Sequence, residues 1–384
     1  MFHRSMKTTL QKVAQHSPVV MLVGPRQSGK TTLLKDVFSQ HRYINAEALD
    51  IRERLIQDPK SLFHSLNDHW IIDEVQHVPD LMSWIQSFVD ENPKAGQFIL
   101  SGSQNLLLME SVSQSLAGRV ITLELLPLSY QEYRTHKPAV DVWTYVFHGG
   151  YPRPYQEDTD RQMWMQSYIR TYVERDVRSL LNIKNLRQFR VFLTLCAGWH
   201  GQLLNMSSIA ESVGVSQPTI DQWISLLEAT FLVFRLHPYF ENYKKRIIKT
   251  PKLYFYDSGL VCALLGIESP QHLAQHSHRG ALFEGFVFTE LIKSYKNKGK
   301  TPPLYFWRDH RGLKVDGLMA TSPMEIFEIK SSSTFHPSLI VNLQKFQRLA
   351  HPEKSYLFYT GEESFPYKNF HVTSWADVHQ YFHG

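Results

Sequence analysis

Between Val19 and Asp36 an apolar run, Val19-Val20-Met21-Leu22-Val23, enters Gly24-Pro25-Arg26-Gln27-Ser28-Gly29-Lys30-Thr31-Thr32 and leaves as a helical pattern. A buried strand, a glycine loop and a helix in that order leave few folds open. Gly24 and Gly29 allow backbone angles and close approaches that a Cβ forbids. Successive N–H groups can therefore turn into one anion-sized cavity at a helix N-terminus. Lys30 is spaced to reach the β- and γ-phosphates of a nucleotide, and the Thr31 hydroxyl to ligate Mg²⁺. The strand before and the helix after separate this loop from an ordinary glycine-containing surface turn.

Strands and helices go on alternating. Arg42-Tyr43-Ile44-Asn45 reads as a short strand, and a charged helix follows through Ile51 and Leu55. Trp70-Ile71-Ile72-Asp73-Glu74 is then an apolar strand ending in two carboxylates, so the pattern is that of a parallel α/β sheet. Ligands gather at the carboxyl ends of such strands, which places Asp73 toward the Mg²⁺ held by Thr31 and Glu74 where it can orient an attacking water. A further strand, Gln97 to Asn105, ends in small polar residues. Among them Ser103 is the expected contact to a γ-phosphate or the water. Arg119, after Gly118 and before the next apolar run, is the expected charge donor to a transferring phosphoryl group, from the same subunit or a neighbour. A plain surface arginine is the competing reading.

At 384 residues the chain is too long for one core by the usual scaling, which predicts two to four domains. Apolar residues at 43% and charged residues at 20% describe a chain that folds throughout. No run of 18 apolar residues occurs and none stands behind the first charges, so neither a membrane span nor a signal peptide is expected. The two cysteines, Cys196 and Cys262, form no C-x-x-C pair, and a reducing cytoplasm fits them. The net charge of +5 sits in residues 241–316, where 13 basic residues oppose 7 acidic ones. That segment is where DNA contact is expected, although solvated loop lysines account for it equally well.

The set GPRQSGKTTL, WIIDEVQ, FILSGSQN and SLAGRV with LPLSYQEY resembles the AAA-type P-loop ATPases of prokaryotes, in which a C-terminal domain of unknown function follows the ATPase core. Tyr168 to Asp176 and Leu253 to Leu260 continue the resemblance. It implies an α/β P-loop NTPase sheet, ATP and Mg²⁺ as cofactors, hydrolysis catalysed by Lys30, Glu74 and Arg119, and a homo-oligomer if Arg119 acts across subunits. Residues 1–135 form the expected ATPase core and 136–195 a helical lid.

Residues 196–257 read as a winged helix-turn-helix. A helix through Ile209 and Val213 ends at Gly214, and a second begins at Ser216 and runs through Trp223 and Leu227. Two strands, Phe231 to Leu236 and Lys252 to Tyr256, enclose a basic wing, Asn242 to Arg246. The exposed positions expected on the second helix, Gln217, Thr219, Asp221 and Gln222, include an acid and no base, which disfavours direct DNA reading.

Residues 258–384 carry a different constellation. Glu284 lies on a helix with apolar residues at 282, 283, 286, 287 and 291. A hairpin then runs from Leu313 to Lys330, and strand alternation puts Glu328 and Lys330 on one face with Asp316 across from them. Two carboxylates beside a lysine suit a divalent cation and a polarised water. The set resembles the PD-(D/E)xK nuclease core and implies a second metal site of Glu284, Asp316 and Glu328 with Lys330. His272, His276 and His278 are read as surface histidines, and Tyr356 to Gly384 as one more strand and a closing helix.

Overall fold

The computed structural model describes residues 2–64, 69–102, 115–156, 159–177, 185–239, 250–309 and 311–380. Ser103 and the expected wing, Asn242 to Arg246, lie outside the described residues.

Five strands form the first sheet: β1 (Val19–Val23), β2 (Arg42–Asn45), β3 (Trp70–Asp73), β4 (Phe98–Gly102) and β5 (Val120–Glu124). All pair in parallel, in the order β2-β3-β4-β1-β5. Every residue of β1 is buried, which is why its run is continuously apolar and does not alternate. Val20 and Leu22 face a cluster with Leu10 and Leu34, from the Lys7–Ala14 and Lys30–Val37 helices, whereas Val19, Met21 and Val23 face the opposite side. Because the strands are parallel, the glycine loop after β1 and the carboxylates after β3 emerge at one edge.

That opposite face opens into a hydrophobic cluster running on through Tyr130, Tyr145, Phe286 and Trp375 to Val378. Residues of all four expected segments, 1–135, 136–195, 196–257 and 258–384, contribute to this cluster, and the first and last also pack clusters of their own around Leu22 and Leu343. Aromatic rings span the seams: Tyr130 meets Trp375 with centroids 4.5 Å apart, and Tyr145 meets Phe286 at 5.7 Å.

In the middle of the chain the Met206–Val213 helix ends at Gly214, whose φ of 75° a side chain would strain. The Gln217–Ala229 helix starts under the Ser216 side chain, which accepts from Thr219 N. Behind them β6 (Val233–Leu236) and β7 (Lys252–Phe255) pair antiparallel. Asp221 is held by Arg235 Nη1 at 3.0 Å, and the same guanidinium binds Glu228 at 2.6 Å.

The second sheet follows the Arg279–Lys296 helix. Its strands are β8 (Leu304–Arg308), β9 (Lys314–Met319), β10 (Glu325–Lys330), β11 (Lys354–Tyr359), β12 (Phe365–Tyr367) and β13 (Phe370–Ser374), in the order β12-β13-β11-β10-β9-β8. β8, β9 and β10 form an antiparallel meander, and β11 returns parallel to β10 after the Val341–Ala350 helix. The tail differs from the expected strand and helix. β12 and β13 add a hairpin turned at Lys368, a residue with φ of 56°, with Pro366 inside β12 and no glycine between the strands.

Candidate functional site

The loop from Gly24 to Lys30 depends on both glycines, for different reasons. A Cβ at Gly24 would stand 2.2 Å from Leu125 O, so the chain beyond β5 leaves no room for one. Gly29 caps the following helix with φ of 94°, a left-handed conformation. Lys30 is 5% exposed, and its Nζ donates to Gly24 O and Pro25 O, each at 3.0 Å. Burial pulls the ammonium down to about 8, against the attraction of Glu74 and Asp73. A cation buried against neutral carbonyls is a site that an anion would stabilise.

Asp73 stands beside it. Its Oδ2 accepts from Thr31 Oγ1 at 2.6 Å and from Tyr43 OH at 3.0 Å, and its Oδ1 from Ser101 Oγ and, at 3.2 Å, from Glu74 N. A threonine hydroxyl and a carboxylate in contact at the end of a phosphate loop present hard oxygens to one point, the donor set Mg²⁺ takes. Glu74 adopts φ of 56°, which turns it out of the strand, and its Oε2 accepts from Gln76 Nε2. Glu74, Lys30, Thr31 and Thr32 line one cavity of about 370 Å³ with Arg26, Gln27 and Glu47.

Sequence reasoning did not single out three contributors. Tyr43 and Ser101 lie in strands it recognised, but which of their side chains face Asp73 depends on sheet order. Arg4 is farther removed. It is 5% exposed and donates to Ser28 O and Leu126 O, both at 2.6 Å, while its Nε pairs with Glu132 at 3.2 Å. It thus ties the glycine loop to the segment after β5, and no local pattern could have announced it. Of the readings of Arg119, as acting in its own subunit, in a neighbour, or as a plain surface arginine, the structure bears on the first. β5 begins at Val120 opposite Val19, the end of β1 remote from the loop, and a five-residue strand separates the two edges by about 13 Å. Its guanidinium is bound to Asp90, with Nε at 2.5 Å and Nη2 at 2.9 Å. Arg119 therefore cannot reach the loop of its own chain.

The C-terminal constellation is assembled only in part. Phe327 pairs with Gly317, which sets Asp316 against Glu328 on the neighbouring strand. Lys330 Nζ binds Asp316 Oδ2 at 3.1 Å and also contacts Glu328 Oε2. Burial opposes the Asp316 charge, yet Lys330, Lys252 and Lys314 outweigh it and hold this carboxyl well below its ordinary range. Burial and the Asp316 charge push Glu328 up to about 8. Glu284 is held elsewhere, by Lys252 Nζ at 2.7 Å and Tyr254 OH at 2.5 Å, both from β7. Glu284 and Asp316 do line one cavity of about 350 Å³, with Lys252, Arg308 and Lys314. Among the described residues, however, no three His, Cys, Asp or Glu side chains stand together as metal ligands. In place of the expected metal set of Glu284, Asp316 and Glu328 stand a carboxylate pair with Lys330 and, across the same cavity, Glu284 paired with Lys252, whose charge also reaches Asp316. His272 is exposed and His276 and His278 are half-buried.

Residues 16–134 match the AAA domain, and residues 140–271 and 279–378 match two domains of unknown function, DUF8612 and DUF4143. The chain thus carries an AAA-type P-loop nucleotide-binding domain. Over 97% of its length it is 32% identical to the uncharacterized protein Rv2008c of Mycobacterium tuberculosis, covering 83% of that protein, and it belongs to the Rv2008c family. It is also 22% identical to the uncharacterized protein MJ1544 of Methanocaldococcus jannaschii, over 81% of this chain and 74% of that one. A Walker-type ATPase of Pyrococcus abyssi superposes with a TM-score of 0.46 at 15% identity, covering 69% of this chain and 96% of the other. Among the described residues no helix is long and apolar enough to cross a membrane.

Proposed function

We propose that this protein is a Mg²⁺-dependent ATPase whose nucleotide cycle drives a nuclease-like C-terminal unit. The observation that carries the ATPase reading is the 2.6 Å bond between Thr31 and Asp73 beside the buried Lys30. Thr31 and Asp73 would hold Mg²⁺, which supplies charge to the β- and γ-phosphates. Lys30 binds the same oxygens and regains its ordinary basicity as their charge replaces neutral carbonyls. Glu74, with Gln76 donating to it, orients the water for in-line attack. Both cysteines are buried free thiols, in keeping with a cytoplasmic setting.

The nuclease-like reading rests on element order: helix, three-stranded meander, helix and parallel strand, with Asp316, Glu328 and Lys330 on adjacent strands. The basic excess of residues 241–316 supports nucleic acid as its partner. A second reading, a nucleotide-dependent switch without cleavage, is favoured by Lys330 already neutralising the carboxylate pair. ATP turnover measured with and without single-stranded DNA, duplex DNA and RNA, alongside cleavage of each, separates them. The first reading expects cleavage that Asp316→Ala and Lys330→Ala abolish while ATPase activity persists. Turnover stimulated by a nucleic acid that is never cut leaves the switch, and absence of turnover under every condition overturns the ATPase reading itself.

A further inference from the structure

Two cations face each other across the β8–β9 hairpin. Arg308 pairs with Lys314 in the antiparallel ladder, so their side chains leave the same face of the sheet, about 5 Å apart at Cβ. Like charges directly opposite each other destabilise a hairpin unless an anion lies between them. Lys314 is partly offset by Asp316 Oδ1 at 3.5 Å, and the Arg308 guanidinium makes no hydrogen bond or ion pair among the described residues. Both line the cavity of about 350 Å³ that Asp316 also lines. Lys252, the third cation on its wall, is already spent on Glu284 at 2.7 Å. The hairpin pair is therefore where an incoming anion gains most.

Another wall comes from a distant stretch. Trp199 caps the Leu186–Gly198 helix at its C-terminal end, is half-buried, and borders the same cavity with Gln202 and Leu203. Phe189 and Phe192, on that helix, both pack on Trp223, whereas the Trp199 indole meets no other ring among the described residues. A half-buried indole on a cavity wall, with no ring of the protein against it, has surface to give to a flat ligand. The volume lies at the low end for small-molecule sites, enough for one nucleotide and too little for a turn of double helix. An anion beside a flat ring, both within one such cavity, is the chemistry of a nucleotide in a strand.

Resting on the nuclease-like reading of residues 258–384, we propose that this cavity takes one unpaired nucleotide of a single-stranded nucleic acid, its phosphate between Arg308 and Lys314 and its base on Trp199. Single strands are favoured over duplex because a paired base has both faces covered by its neighbours and must be unstacked before an indole can reach one. Stacking accepts every base, so binding is tolerant of sequence. The strand is thereby laid beside Asp316, which Lys330 holds at 3.1 Å, so binding itself needs no metal to screen that carboxylate. Trp199 belongs to the DUF8612 region and the hairpin to the DUF4143 region, so a bound strand bridges the two.

The test uses the full chain in EDTA, where no metal-dependent cleavage intervenes, with fluorescent oligo-dT, oligo-rU and a blunt duplex of the same length as probes. Wild type should bind at least one of the two strands about tenfold or more tighter than the duplex, which must first unpair a nucleotide. Trp199→Ala should weaken strand binding about fivefold or more without changing its salt dependence, and Trp199→Phe, which keeps a ring, should restore most of it. Arg308→Ala and Lys314→Ala should each flatten the slope of log K against log salt by about 0.7, the share of one phosphate contact on a single strand. A purely structural role would lower the melting temperature and leave that slope alone. Arg308→Gln and Lys314→Gln give the same reading if an alanine variant fails to fold. Unaltered slopes in both hairpin variants, unaltered strand affinity in Trp199→Ala, duplex bound as tightly as either strand, or no strand bound by wild type each overturns the site. Strands bound as expected but left uncut in Mg²⁺ or Mn²⁺ remove the nuclease-like reading and keep the site. Strands cut by wild type and bound normally by all three variants remove the site and keep that reading.

Discussion

Lys30 and Lys330 are both held next to strand ends beside carboxylates, and they are in opposite electrical situations. Lys30 is buried against backbone carbonyls, with Asp73 engaged by Thr31, Tyr43 and Ser101, and its ammonium is destabilised to about 8. Lys330 sits between Asp316 and Glu328, whose charges outweigh burial and raise its basicity above the ordinary lysine range. One site is a cation short of an anion; the other is already compensated. Lys30 is the more deeply buried, 5% exposed against 28% for the Lys330 side chain, and the two also differ in where nearby carboxylates spend their hydrogen bonds. The first site is therefore poised to accept a ligand and the second is poised to stay folded.

The most severe way to break this comparison is to delete each lysine in turn. Lys30→Ala should abolish ATP binding. ATP at a hundredfold excess over Kd would stabilise wild type by about 2.7 kcal/mol, and that gain should vanish in the variant. Lys330→Ala should keep the gain in full. A nucleotide-dependent rise in melting temperature in Lys30→Ala would show that the loop does not depend on its buried cation. Next in size is Glu74→Gln, which should bind ATP like wild type and turn it over about a hundredfold more slowly or worse, as loss of a water-orienting base predicts. Unchanged turnover would remove Glu74 from the mechanism.

The compensated site should show itself in stability. Asp316→Ala takes from Lys330 the carboxylate that is charged at neutral pH, and should cost about 3 kcal/mol in urea unfolding, the lower end for breaking a buried pair. Glu328→Gln should cost far less at pH 7, because the folded protein already holds a proton there. The sign follows from linkage. The folded carboxyl titrates near 8 and the unfolded one near 4.5, so the folded state binds more protons between those values and wild-type stability falls as pH rises through that window. Glu328→Gln should flatten that fall. The lysines give opposite slopes at higher pH. Between about 8 and 10.5 the unfolded chain holds the Lys30 proton that the folded chain has lost, so stability rises with pH, and Lys30→Met should remove the rise. Lys330 keeps its proton longer when folded, so its share of stability is lost only as pH climbs above 10.5.

How much of this was readable beforehand depended on sequence distance. The glycine loop is eight residues in which strand, turn and helix signals agree, and Asp73 follows from the rule that ligands meet at strand ends. Period two likewise put Glu328 and Lys330 on one face with Asp316 across the hairpin. Contacts between distant stretches carried no such signal. Lys252 and Tyr254 capture Glu284 across about thirty residues, and that capture is why three carboxylates do not form one metal site. Arg4 reaches Leu126 and Glu132 from the far end of the AAA region. Lys368 turns a hairpin with an ordinary side chain at positive φ, so the β12–β13 pair went unseen.

Arg119 gives the smallest effect in one chain and the sharpest question between chains. Its bond to Asp90 is exposed and its position is remote from its own loop, so Arg119→Ala should leave the melting temperature and ATP affinity of the isolated chain unchanged. An arginine at the far edge of the sheet can still serve a second copy, because head-to-tail association sets the edge of one subunit against the loop edge of the next. Turnover per molecule should then rise with protein concentration in wild type and stay flat in Arg119→Ala. Mixing Arg119→Ala with Lys30→Ala subunits tests this directly. Each variant supplies what the other lacks, so part of the activity should return in the mixture and none in either alone. If both variants are folded and shown to co-assemble yet the mixture stays inactive, Arg119 is only a partner of Asp90, and the comparison reduces to the two lysines.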